Sequence, residues 1–199
     1  FGLSAVALTG LLLVFFLGLK ILADDLERHR ISLIMSRPVA GWQYIVGKFL
    51  GLGMILLAAA LILGLGAVLS MHYVLWQFPA YVPPQFSWTT YTMALASQWL
   101  GLVMMLAVSV FCFSFASQPF VALLLTVAVY FVGQNMELLR QVVVENTHAG
   151  ILTGKEQVVV ALSWIFPNLS LFDRKAAAAY GLAFEVQEFG LLLLYCLSY

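Results

Sequence analysis

From Phe1 to Ala23 the chain carries one charged side chain, Lys20. As an α-helix rising about 1.5 Å per residue, that stretch reaches about 35 Å, enough to cross a hydrocarbon core of roughly 30 Å. Similar apolar runs recur at Tyr44–Tyr73, Thr92–Ala116, Phe120–Asn135 and Gly181–Tyr199. Hydrophobic residues make up 63% of the 199 and charged residues 9%, against roughly 45–50% and 25% in a soluble domain. A soluble sphere cannot hide that much apolar surface behind so few charges. The composition excludes an ordinary soluble enzyme and a disordered chain. Nine Lys/Arg balance nine Asp/Glu, so no basic field draws a nucleic acid. The expected fold is all-α: one polytopic helical membrane domain with about five transmembrane helices in this chain.

The chain opens at Phe1, without Met, inside an apolar run and closes at Tyr199 inside another. It reads as a fragment with its first and last spans cut. Cys112 and Cys196 lie in apolar runs outside any metal or disulfide pattern, and read as packing residues. His29, His72 and His148 lack ligand spacing, so no metal site is expected.

Orientation follows from Lys and Arg in short loops. The loop 24–42 holds Arg28, Arg30 and Arg37, with Lys20 and Lys48 at its borders. The aromatic loop after Tyr73 holds neither Lys nor Arg, and its Trp76, Tyr81 and Trp88 suit interface anchors. The first loop is therefore expected in the cytoplasm and the second outside. Alternation then puts Ser117–Pro119 inside and a mixed helical segment, 136–180, outside. Within it, Val158–Phe166 is apolar but too short to span. It lies at the interface, or dips in and returns where protein covers its backbone ends. Pro167-Asn168 breaks it. Asn168-Leu169-Ser170 matches a glycosylation sequon.

Few polar groups fall near membrane depth. Gln98, Gln134 and Asn135 are candidates for a translocation path or for bonds between helices. Glu185 and Glu188 fall in the first turns of the last run. They sit either near the headgroups, meeting the helix dipole, or at a coupling or substrate site. Gly47 and Gly51, extended by Gly53, Gly64 and Gly66, make a small-residue seam that permits close helix approach.

The richest stretch is Asp24 to Gly51. Asp24 and Glu27 have capping-box spacing, and Leu26, Leu33 and Ile34 share one helical face. Arg37 precedes Pro38, which ends the helix near Ser36. A short amphipathic cytoplasmic helix results, suited to a membrane surface or to a groove on a partner.

That string, ERHRISLIMSRPVAGWQYIVGKFLG, resembles the first cytoplasmic loop of permease subunits of type-2 ATP-binding-cassette exporters. Glu27, Arg28, Ser36, Arg37, Pro38, Val39, Tyr44, Gly47 and Lys48 match that pattern residue by residue. Arg30-Ile31 stands where the family often has Gly-Thr, and Gly41 where it often has Arg. FPNLSLFDR, 166–174, resembles the Pro-containing segment before the family's last span.

The resemblance implies six spans in the full chain and a coupling helix that docks on a separate ATP-hydrolysing subunit. It also implies a second permease subunit, identical or not, and the cytoplasmic membrane of a prokaryote. Arg28, Arg30 and Arg37 suit charge-assisted contacts with acidic groups of that ATPase, or lipid phosphates. ATP and its magnesium would sit in the partner. This chain is not expected to be an enzyme or to bind a cofactor. Gly41 to Gly47-Lys48 misses phosphate-loop spacing and continues with Phe49, and Gly154-Lys155 continues with Glu156. The competing reading is a secondary transporter or channel driven by an ion gradient, a class marked by midplane charges, broken helices or repeats. The sequence shows no clear repeat and no mid-span charge.

Overall fold

A computed structural model describes residues 2–18, 20, 41–78, 87–116, 118–146, 166–180 and 186–198. Every element among them is helical: α1 (Gly2–Leu17), α2 (Gly41–Gln77), α3 (Trp88–Phe115), α4 (Pro119–Asn146), a 3-10 turn (Leu169–Phe172), α5 (Lys175–Tyr180) and α6 (Val186–Ser198). Three described stretches are long and apolar enough to cross a membrane: Trp42–Gln77, Trp88–Phe115 and Pro119–Gln141. Gly2–Leu17 and Gln187–Ser198 are apolar but shorter. The 16 residues of α1 span about 24 Å, less than the roughly 30 Å core. Of the five expected spans, three therefore have full spanning length among the described residues.

The sequence reading ends the fourth span at Asn135, with a helix-compatible run over Met136–Glu145 and turn residues from Asn146; the structure joins span and run in one helix that ends at Asn146. Polar residues begin at Gln134, yet Met136-Glu137-Leu138-Leu139-Arg140-Gln141 are strong helix formers and contain no breaker. Asn135, a candidate for a path or for bonds between helices, bonds its own helix. Its Nδ2 donates to the Phe131 carbonyl of its own helix at 2.8 Å. Pro119 opens α4 at the first helical position, where its missing N–H costs nothing.

α3 is the centre of the bundle and touches every other element. Half of its apolar window is buried, against 28% for α2 and 22% for α4. The helices pack antiparallel in sequence order. Near its start, α1 has Gly2 beside Ala67 of α2 and Tyr91 of α3; lower down, Gly10 meets Leu102, and Gly18 meets Ser109. α1 is apolar on all sides, so hydrophobicity cannot select its buried stripe of Leu3, Val6, Gly10 and Val14. Its closest approaches to α2 and α3 fall at glycines, as close packing of helices in lipid favours. The same rule places Gly64 against Leu95 of α3, whereas Gly47, Gly51, Gly53 and Gly66 meet nothing within 4 Å among the described residues. Only Gly64 of the expected seam is used within the described chain. Small polar groups in the spans bond their own helix: Ser97 Oγ to the Met93 carbonyl at 2.9 Å, Thr126 Oγ1 to the Ala122 carbonyl at 2.8 Å.

Candidate functional site

The fold's one long irregular stretch among the described residues, Phe166 to Arg174, is wedged between helices. Phe172 is fully buried against Gly101, near the middle of α3. Leu169 and the Pro167 carbonyl press on Gly133, near the middle of α4. Irregular backbone at that level of an apolar bundle survives only if protein covers it and its polar groups are bonded. Leu169 and Phe172 are buried, and several of the segment's polar groups are bonded. The Asn168 backbone N–H donates to the Tyr195 hydroxyl of α6 at 2.8 Å. Asn168 Nδ2 donates to Glu137 Oε2 of α4 at 3.1 Å. Ser170 Oγ donates to Asn168 Oδ1 at 2.6 Å. The Phe172 ring lies 6.2 Å from that of Tyr195. The Asn-Leu-Ser triplet is thus a structural turn with its amide already engaged.

Above this knot the charges pair. Asp173 Oδ2 accepts from Lys175 Nζ at 3.0 Å, and Asp173 Oδ1 accepts from the Lys175 backbone N–H at 3.3 Å. Arg174 reaches Glu188 of α6 at 3.6 Å. Charged groups in such a bundle face its interior or a hydrated cavity and pair with one another, and they mark functional layers.

A cavity of about 90 Å³ opens between this segment and α1, α3 and α4. Gln98, Gln134, Tyr130, Asp173 and Lys175 give it polar walls. Gln98 Oε1 is buried and receives no hydrogen bond from the described residues. Such an orphan costs about 1–3 kcal/mol, a cost that a water in the cavity would relieve. The volume holds a few waters, too little for a lipid tail or a peptide.

The sequence candidates are thus divided. Gln98 and Gln134, on different helices, line one cavity. Glu188 is paired with Arg174; Glu185 lies outside the described residues. Of the loop set, Glu27, Arg28, Arg30, Ser36, Arg37, Pro38 and Val39 lie outside them as well. Tyr44, Gly47 and Lys48 stand in the first turns of α2, with Lys48 Nζ 5.6 Å from the Tyr44 ring centre. Sequence reasoning missed Glu137, Tyr195 and the bonding role of Asn168. The only available signal was the odd mixture of Pro, Asn and Ser inside an apolar stretch.

Gly133 gives a direct check of the wedge. A Cβ there would sit 2.7 Å from the Pro167 carbonyl oxygen and 2.9 Å from Leu169, and backbone cannot yield as a side-chain tip can. Gly133→Ala is expected to cost about 1–3 kcal/mol, the usual cost of overpacking, read as a lower melting temperature in detergent. Gly47→Ala, in open space, should leave it unchanged.

Residues 4–184 match the family model described as ABC-2 family transporter protein. No curated protein and no solved structure matches the chain. With that match over most of the sequence and three spanning helices beneath it, the chain belongs to the ABC-2 transporter family and is a multi-pass membrane permease of that type.

Proposed function

We propose that the chain is the transmembrane permease subunit of an exporter in a prokaryotic cytoplasmic membrane, driven by ATP hydrolysed in a separate subunit. It works as one half of a permease dimer, with the loop 24–42 docked on the ATPase. The observation that carries this reading is the family match over 4–184, which contains the whole Glu27–Lys48 string. The chain supplies no ATP chemistry of its own in this reading, because neither of its Gly-Lys pairs is followed by Ser or Thr. The cavity of about 90 Å³ is too small for a large cargo, so a bulky substrate passes elsewhere, between the two permease subunits.

The test is purification in mild detergent of the full-length parent, expressed with its neighbouring genes. A soluble partner with a phosphate-binding loop, in equal amount to the permease, is the expected result. A stable complex without any ATPase would overturn the reading.

A further inference from the structure

We propose that the cavity between α1, α3, α4 and the segment Phe166–Arg174 is a binding site for a small cluster of internal waters, held by Gln98 of α3 and by Gln134 and Tyr130 of α4. The inference is independent of the transporter reading. It starts from an unmet bond. Gln98 Oε1 is buried and has no hydrogen-bond partner among the described residues, and an amide oxygen left so in apolar surroundings is costly. Gln98 lies on the wall of this cavity, and other elements bring polar side chains to the same wall. Gln134 and Tyr130 stand one turn apart on α4, and Asp173 and Lys175 come from the returning segment and the start of α5. An internal water needs roughly two to four polar partners, and this wall supplies them. The volume of about 90 Å³ holds about three waters at roughly 30 Å³ each. The side chains of Asp173 and Lys175 are partly exposed, so bulk water reaches the cavity at their end.

Polarity, not size, singles this cavity out. A larger groove of about 530 Å³ lies on another face of α3, against α2 and α6. Phe49, Met104, Phe111 and Leu197 are among its walls, and none of its described lining residues carries a charge or an amide side chain. An apolar cavity stays dry. Met104 and Met105 mark the difference. They are neighbours in sequence and are 3% and 2% exposed, yet Met104 lines the apolar groove and Met105 the polar cavity.

Hydroxyl-radical footprinting of the purified full-length parent, in lipid nanodiscs and heavy-oxygen water, tests this without any partner or substrate. X-rays split water where it sits, and the radical oxidises the nearest side chain. Met105 is expected to take up several-fold more heavy oxygen than Met104, although the two are equally buried; fragment-ion masses separate them. Gln98→Leu and Gln134→Leu each remove part of the polar wall, and each is expected to bring Met105 down to the level of Met104. Either variant serves should the other fail to fold. Gln98→Leu is also expected to leave the melting temperature no higher than the parent's, whereas deleting a dry orphan would raise it by relieving its cost. Equal labelling of the two methionines in the parent, labelling of Met105 that both variants leave unchanged, or a raised melting temperature in Gln98→Leu overturns the water site. None of these results bears on the ATPase, whose absence from the complex would instead remove the transporter reading.

Discussion

Phe172→Ala is expected to cost more than any other single truncation of a described side chain. Phe172 is the largest fully buried side chain, at 1% exposure. It touches α3 at Gly101, faces Tyr195 of α6, and borders the cavity through which α1 and α4 approach. In soluble cores, Phe→Ala costs about 3–5 kcal/mol, part of it transfer from water and part the void left behind. In a membrane the transfer part shrinks, because the separated helices still lie in lipid. The void part remains. At about 24 cal/mol per Å³, the space of a phenyl ring comes to about 2 kcal/mol. That is a factor of roughly 30 in the folded population. It is read as a drop in melting temperature and as loss of monodisperse protein in detergent. Phe120→Ala, a side chain 63% exposed on the outer face of α4, should change neither. Equal effects of the two substitutions would mean that Phe172 is not a core residue. Phe172→Leu, which refills most of the space, should recover most of the loss.

Three of the five expected spans were legible because their signal is local. A run such as Trp88–Phe115 is decided by its own composition, and Pro119 marks its own helix start. That the fourth span and the helical run after Asn135 form one helix was not legible, because a polar residue in a bundle signals depth or neighbours and does not by itself stop a helix. The buried faces were also hidden. An evenly apolar helix gives no amphipathic stripe, and the contact face of α1 is set by where Gly10 and Gly18 let α3 approach. The site was the least legible part. Gln98 and Gln134 stood out as polar residues in apolar runs, but nothing local says that they line one cavity. Glu137 and Asn168 meet only because an irregular segment returns between helices. That return depends on Gly101 and Gly133 together, two positions that read as ordinary glycines until Phe172 and Leu169 are seen against them.

Reversing the charges of the first loop, Glu27→Lys with Arg37→Glu, is expected to release the ATPase while leaving the permease in the membrane. The substitutions touch no apolar run, so insertion has no reason to change. Their effect on docking is large. Breaking a desolvated, hydrogen-bonded charge pair costs about 2–5 kcal/mol, which is about thirtyfold or more in affinity. α2 explains why so small a contact would matter. It has 37 residues, spans about 55 Å, and runs without interruption from Gly41, four residues after Arg37 in the sequence. Among the described residues, Trp42, Ile45 and Val46 are exposed, and Gly47 and Gly51 meet nothing within 4 Å. Its inward face tightens from Leu52 and Leu56 up to Gly64, where Tyr91 of α3 donates its hydroxyl proton to the Gly64 carbonyl at 3.2 Å. A displacement at the loop would therefore travel along a stiff rod that α3 grips further on, around Gly64. Co-purification of the ATPase with the charge-reversed and parent proteins measures the first step, and ATP-dependent transport measures the second. Arg37→Lys should fall between them, because an ammonium cannot reproduce the guanidinium fork. Undiminished partner recovery and transport in the charge-reversed protein would sink the docking role of the loop. Transport that ignores ATP but follows the proton gradient would go further: it would favour the ion-driven reading and make Glu188, now paired with Arg174, the next residue to neutralise.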